Sequence, residues 1–131
     1  MNTIELQWFL SDQNDAIIKK SGIYMVNDDQ YVHGKNCLVY IGIAKSLELR
    51  LKEHKEWLNR GRNIEIRIAE CKEEYLEDVE SLIIFSHQPI YNTSKKNDLN
   101  LSNDLKIYNY GNFGSLLPII DSRYKWYGKA W

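Results

Sequence analysis

Residues 64–70 alternate Ile64, Ile66 and Ile68 with Glu65, Arg67 and Glu70. A period of two sends successive side chains to opposite faces of an extended chain, so this segment predicts a strand with one wet face. Two further segments carry the β-branched and aromatic content of strands. They are residues 21–27, Ser-Gly-Ile-Tyr-Met-Val-Asn, and residues 37–43, Cys-Leu-Val-Tyr-Ile-Gly-Ile. Asn27-Asp28-Asp29-Gln30 and His33-Gly34-Lys35-Asn36 break the chain between them, which predicts antiparallel neighbours across a short connection. Three strands bury too little surface to be stable alone, so helices must cover them.

Ser46 is placed to cap a helix running to about Leu58, with Leu47, Leu51 and Leu58 as its core stripe and Gly61 at its end. Residues 73–87 predict a second helix, opened by Glu73-Glu74 and stopped by Pro89. Residues 4–20 predict a short amphipathic helix with Ile4, Trp8, Ile17 and Ile18 apolar, divided by the polar stretch Ser11 to Asp15. The expected fold is therefore α/β: a small three-stranded antiparallel sheet flanked by helices. Residues 1–20 form a helical extension, 21–92 the core, and 93–131 a polar linker followed by an aromatic C-terminal extension. Residues 93–104 are mostly Thr, Ser, Lys, Asn and Asp, the composition of a solvated loop, in which Lys95 and Lys96 read as a solvated pair. The extension carries Tyr108, Tyr110, Phe113, Tyr124, Trp126, Tyr127 and Trp131. Such rings complete a small core more often than they stack on bases.

Charged residues make up 27% of the 131, yet the net charge is −1, so global charge does not point to a nucleic-acid partner. Between Lys45 and Lys72, eight Lys and Arg face five Glu, a local excess that suits a phosphate backbone. Glu48, Lys52 and Glu56 are also spaced as ordinary helix-surface pairs. No apolar run approaches the ~20 residues that cross a bilayer, and the N-terminus lacks a signal-peptide pattern; a cytoplasmic protein without a membrane partner is expected. Cys37 and Cys71 are isolated in apolar segments and read as free thiols. With no CxxC pair and three histidines, a structural zinc site is not expected.

Two features carry chemistry. Wound as a helix, residues 73–87 place Glu80 amid the apolar face of Leu76, Val79, Ile83 and Ile84. A carboxylate there must be paired, protonated or bound to a metal; the structural alternative is an ion pair with an arginine of the sheet. On the preceding helix, Arg50 and His54 stand one turn apart beside the core stripe, with Trp57 continuing that edge. A guanidinium beside an imidazole facing a sheet suits a phosphate. A boundary arginine and a core histidine are the structural alternative.

The order of elements then becomes specific. Gly22-Ile23-Tyr24 precedes Tyr40-Ile41-Gly42; Ile43-Ala44-Lys45-Ser46-Leu47-Glu48-Leu49-Arg50 and His54 follow, then Glu80, then Pro89-Ile90-Tyr91-Asn92. Across residues 21–92 this resembles the GIY-YIG nuclease family in order, spacing and element type. The resemblance implies an endonuclease that hydrolyses phosphodiester bonds, with DNA as its partner. It implies that Tyr24 and Tyr40 are paired active-site tyrosines and that Arg50 binds phosphate. His54 matches a histidine of some branches, and Lys45 a lysine that often follows the second motif. Asn92 would close the site. Glu80 would be the sole carboxylate ligand of a divalent cation, Mg²⁺ or alternatively Mn²⁺. Tyr24 is the favoured base, with Tyr40 as its hydrogen-bond partner, although a phenol needs a nearby cation to ionise near neutral pH. A non-catalytic nucleic-acid-binding module and an interaction subunit of a repair or restriction assembly, using Trp126-Tyr127, are the competing classes. Substrate specificity and oligomeric state are not encoded in any motif of the chain.

Overall fold

The structure, a computed structural model, describes residues 1–11, 17, 19–30, 34–53 and 64–124. Strands β1 (Asn2–Leu10), β2 (Gly22–Gln30), β3 (Gly34–Ala44), β4 (Ile64–Glu70), β5 (Leu105–Gly111) and β6 (Ile119–Asp121) form a single sheet. Helix α1 (Leu47–Glu53) follows β3, and α2 (Leu76–His87) follows β4 through a short 3-10 turn, Glu73–Tyr75. The strand order is β3-β2-β4-β1-β5-β6.

The expectation of a small three-stranded sheet flanked by helices is thereby overturned: the sheet is six-stranded, curled and mixed. β3, β2 and β4 are antiparallel neighbours, as their patterns predict, but they make only half of it. β1 adds to the free edge of β4 in antiparallel fashion, and β5 pairs with β1 in parallel from Asn2↔Leu105 to Trp8↔Gly111. The helical reading of residues 4–20 fails over β1 for a specific reason. Ile4 and Trp8 are four apart, a spacing that helix and strand both place on one face. Leu6 between them, with Thr3, Glu5 and Gln7 exposed, decides for a strand. Residues 12–16 and 18 lie outside the described residues.

The helices cover opposite faces. Leu76, Val79, Leu82, Ile83 and Ile84 of α2 pack with Leu6, Trp8, Ile23, Met25, Ile41 and Ile107. Leu47 of α1, with Leu51 beside it, packs with Tyr24, Val26 and Ile68. Gly22 lets β2 and β4 meet where α1 begins; a Cβ there would collide with the Ala69 carbonyl and with Leu47 Cδ1. The C-terminal extension does complete the core, but mainly through Leu105, Ile107, Leu116 and Ile120, with Phe113 half-buried against them. Tyr110 and Tyr124 are exposed. Trp126, Tyr127 and Trp131 lie outside the described residues. Cys71 is buried and Cys37 half-buried, and both are free thiols; burial pushes the Cys71 thiol up to about 11. No helix among the described residues is long and apolar enough to cross a membrane.

Candidate active site

Tyr24 and Tyr40 come together because of strand register. Tyr24 pairs with Gly42 and Val26 with Tyr40, so the two tyrosines share a face and lie diagonally across two strands. Their ring centroids are 6.1 Å apart at an interplanar angle of 38°. The phenol end of Tyr24 lies over Gly42, and a Cβ at that position would collide with both its Cζ and its hydroxyl oxygen. That close approach is the physical use of the second glycine of the paired tripeptides.

The two phenols differ in access to water. Tyr24 is 2% exposed, whereas Tyr40 is half-buried. Burial raises the Tyr24 phenol well above its ordinary range. The charge of Tyr40 adds to the rise, Arg50 opposes it, and a hydrogen bond with Tyr40 and the charge of Glu80 raise it further. A cation thus pulls Tyr24 downward as expected, but desolvation by burial is the larger effect.

Arg50 and Lys45 are exposed, Arg50 on α1 and Lys45 just before it. Ser46 caps this helix through its hydroxyl, which accepts from the Leu49 N–H at 3.5 Å. His54 lies outside the described residues. Asn92 is buried and acts on backbone. Its side-chain oxygen accepts from the Ile41 N–H at 2.9 Å, and its amide donates to the Ile41 carbonyl at 2.9 Å. Tyr91 N–H donates to the Val39 carbonyl at 2.9 Å. Since β3 ends the sheet, residues 91–92 act as a surrogate neighbouring strand and satisfy its open edge. Asn92 therefore fixes the chain leaving α2 against the strand that carries Tyr40.

Glu80 has a side chain 14% exposed, and its partner is neither an arginine of the sheet nor solvent. Lys95 Nζ lies 2.5 Å from Glu80 Oε1 and 2.7 Å from Glu77 Oε2. Burial pulls the ammonium's pKa down, but the hydrogen bonds and charges of Glu77 and Glu80 outweigh it, and the net shift is upward. The lysine read as one of a solvated pair is thus the counter-ion of the one predicted carboxylate. Sequence periodicity cannot reveal it, because a loop residue reaches α2 from fifteen positions away. A cleft of about 490 Å³, lined by Glu77, Ser81, Thr93, Ser94 and Lys96 among others, lies along the same loop. Among the described residues no group of three or more His, Cys, Asp or Glu converges as a metal cage.

A second polar centre escaped the sequence reading. Arg67, 5% exposed, donates through Nε to Asn112 Oδ1 at 2.9 Å and through Nη1 to Asn27 Oδ1 at 2.7 Å. Its Nη2 lies 3.0 Å from Glu65 Oε2. The strand alternation 64–70 places Arg67 on the face opposite Ile66 and Ile68, which the pattern predicts to be wet, but Asn27, Asn112 and Gly114 close over it; the alternation was its only signal. Comparisons with protein-family models, with curated proteins and with solved structures find no match.

Proposed function

We propose that the chain is an endonuclease that hydrolyses phosphodiester bonds in nucleic acid, most simply DNA, at the Tyr24–Tyr40 pair. The observation that carries this reading is the tyrosine pair itself: strand register sets the two rings on one face with centroids 6.1 Å apart, over a glycine whose Cβ would collide with Tyr24, and the charges of Arg50 and Glu80 bear on the Tyr24 phenol. Phosphoryl chemistry needs a proton acceptor, a fork of donors and an anion together, and these residues supply one of each.

The access of the two rings favours exchanging the roles expected of them. Tyr40, the phenol with exposed surface, is the one a water can reach. Tyr24 donates its hydrogen bond toward Tyr40 and so stabilises a Tyr40 phenolate as it takes the water's proton. Arg50 binds non-bridging phosphate oxygens through its planar fork, and Lys45 adds positive charge at the same helix start. Asn92 positions rather than reacts. A single hard divalent cation suits the oxygen donor of Glu80, and when bound it would supply charge neutralisation for the leaving oxygen. Glu80 Oε1 is engaged by Lys95, whose ammonium opposes the approach of a second cation to the same carboxylate. That engagement is also the one observation favouring a non-catalytic nucleic-acid-binding module.

Incubation with plasmid, and with nicked, flapped, branched and single-stranded DNA plus RNA, in the presence and absence of Mg²⁺, tests the reading. Cleavage by the parent is expected to fall by about 100-fold or more in Tyr40→Phe and in Glu80→Gln, with melting temperatures retained. Binding without cleavage by the parent would establish the non-catalytic module instead.

A further inference from the structure

The loop after α2 is built to deliver one ammonium. Gln88 ends α2 in the left-handed region at φ 51°, and its side chain donates to the Phe85 carbonyl at 3.0 Å and the Lys96 carbonyl at 2.7 Å. Asn92 fixes the same loop to β3. Between these clamps Lys95 itself adopts φ 65°, a conformation that L-residues other than glycine, asparagine and aspartate rarely hold. The backbone strain is local and is offset by the two carboxylates its side chain reaches.

The side chain differs from its anchors. It is 26% exposed, on a flexible four-carbon stem, and it shares one positive charge between Glu77, which is exposed, and Glu80, which is nearly buried. Of the two carboxylates, the nearly buried Glu80 is the one whose charge bears on Tyr24. An ammonium at 2.5 Å from Glu80 Oε1 also repels a divalent cation from the same carboxylate and so weakens its binding there.

We propose that Lys95 is an exchangeable internal counter-ion of the active site, holding Glu80 closed to divalent cations until a nucleic-acid phosphate draws the ammonium away. This rests on the nuclease reading and adds a regulatory step to it: substrate and metal binding are coupled through Lys95. The coupling is reciprocal, because each ligand that removes Lys95 from Glu80 lowers the cost of binding the other.

The test is Mn²⁺ binding to the full chain, followed by the electron paramagnetic resonance signal of free Mn²⁺. Without nucleic acid, Lys95→Met should bind Mn²⁺ about tenfold more tightly than the parent, and Lys95→Met with Glu80→Gln should lose that gain. A short duplex, added in a Tyr40→Phe background so that it is not cut, should tighten Mn²⁺ binding with Lys95 present and do so much less in Lys95→Met. Melting curves check folding, and Lys95→Gln replaces Lys95→Met where the latter does not fold. Equal, Glu80-dependent Mn²⁺ affinity in parent and Lys95→Met would overturn the counter-ion role and leave the metal site standing. A duplex without effect on the parent would overturn the coupling. Absence of Glu80-dependent Mn²⁺ binding in every variant would overturn both the inference and the metal assignment.

Discussion

Arg67 and Glu80 are both charged side chains set among apolar neighbours, and they are satisfied in opposite ways. Arg67 sits where β1, β2 and β4 adjoin, and its guanidinium meets Asn27 on β2, Asn112 after β5 and Glu65 on its own strand. Gly114 passes against it, and a Cβ on Gly114 would stand 3.3 Å from the guanidinium carbon. Its two asparagine partners are short, neutral and fixed by backbone, so they cannot leave without moving a strand or the loop that follows one. Glu80 instead meets a single lysine whose head is partly in water. A buried charge held by rigid neutral dipoles is scaffold, whereas one held by a mobile ion of opposite sign can change partner. The work is thus divided: the β1–β4–β2 region around Arg67 anchors the fold, and α2 with the loop after it carries exchangeable charge.

Arg67→Met is the substitution that presses this contrast hardest. Methionine keeps the apolar stem but takes the guanidinium away from the buried Asn27 side-chain oxygen, an uncompensated desolvation, and cuts the tie to the exposed Asn112. A loss of roughly 3 kcal/mol in denaturant unfolding is expected. Lys95→Met, which removes the partner of the nearly buried Glu80 from a side that water can reach, should cost less, about 1–2 kcal/mol. Equal losses from the two would break the distinction between scaffold and exchangeable charge.

The legible and illegible parts of the chain divide along similar lines. The β2, β3 and β4 segments and α2 announce themselves by period and by punctuation: Ile64, Ile66 and Ile68 alternate, and Pro89 lies just beyond the observed end of α2. Tyr24, Tyr40 and Gly42 were legible because strand register carries local spacing into space. β1 was not, because Ile4 and Trp8 satisfy two periods and the deciding pairings, to β4 and to β5 about a hundred residues away, leave no local trace. Lys95 and Arg67 were missed for one physical reason. A charged residue's partner is set by tertiary approach, and neither the polar composition of 93–104 nor a single arginine in an alternating strand encodes which atoms it will meet.

Gly42→Ala sharpens the comparison from the catalytic side. The added methyl would collide with the phenol end of Tyr24, and the β2–β3 ladder on which both residues sit leaves the backbone little room to retreat. The ring must therefore leave its place beside Tyr40. Overpacking of this kind costs about 1–3 kcal/mol. If the tyrosine pair does the chemistry, cleavage should fall by about 100-fold or more while the protein still melts cooperatively. Retention of parental activity in a folded Gly42→Ala would show that the position of Tyr24 does not matter to the reaction. It would return the pair to the scaffold.

The smallest expected effect concerns His87, which ties the end of α2 to the loop before β6 and belongs to the anchoring side. Its Nε2 accepts from the Leu117 N–H at 3.0 Å, so the ring's proton is on Nδ1, which lies 3.2 Å from the Ile83 carbonyl and 2.7 Å from Ser86 Oγ. Burial lowers its pKa, and the hydrogen bond to Ile83 only partly offsets this. A group whose folded pKa lies below its unfolded value of about 6.5 adds stability that is full above that value. As pH falls below about 6.5 the unfolded chain takes up the proton first, and that stability declines until the lower folded pKa is passed. Protonation also turns Nε2 from acceptor to donor and removes the bond from Leu117, worth about 1 kcal/mol. Between pH 7 and pH 5 the melting temperature should drop by roughly 3–5 °C more in the parent than in His87→Gln, which cannot titrate. Parallel pH profiles for the two would mean that His87 is protonated without cost in the folded chain. The α2 end would then join Lys95 among the contacts that can exchange.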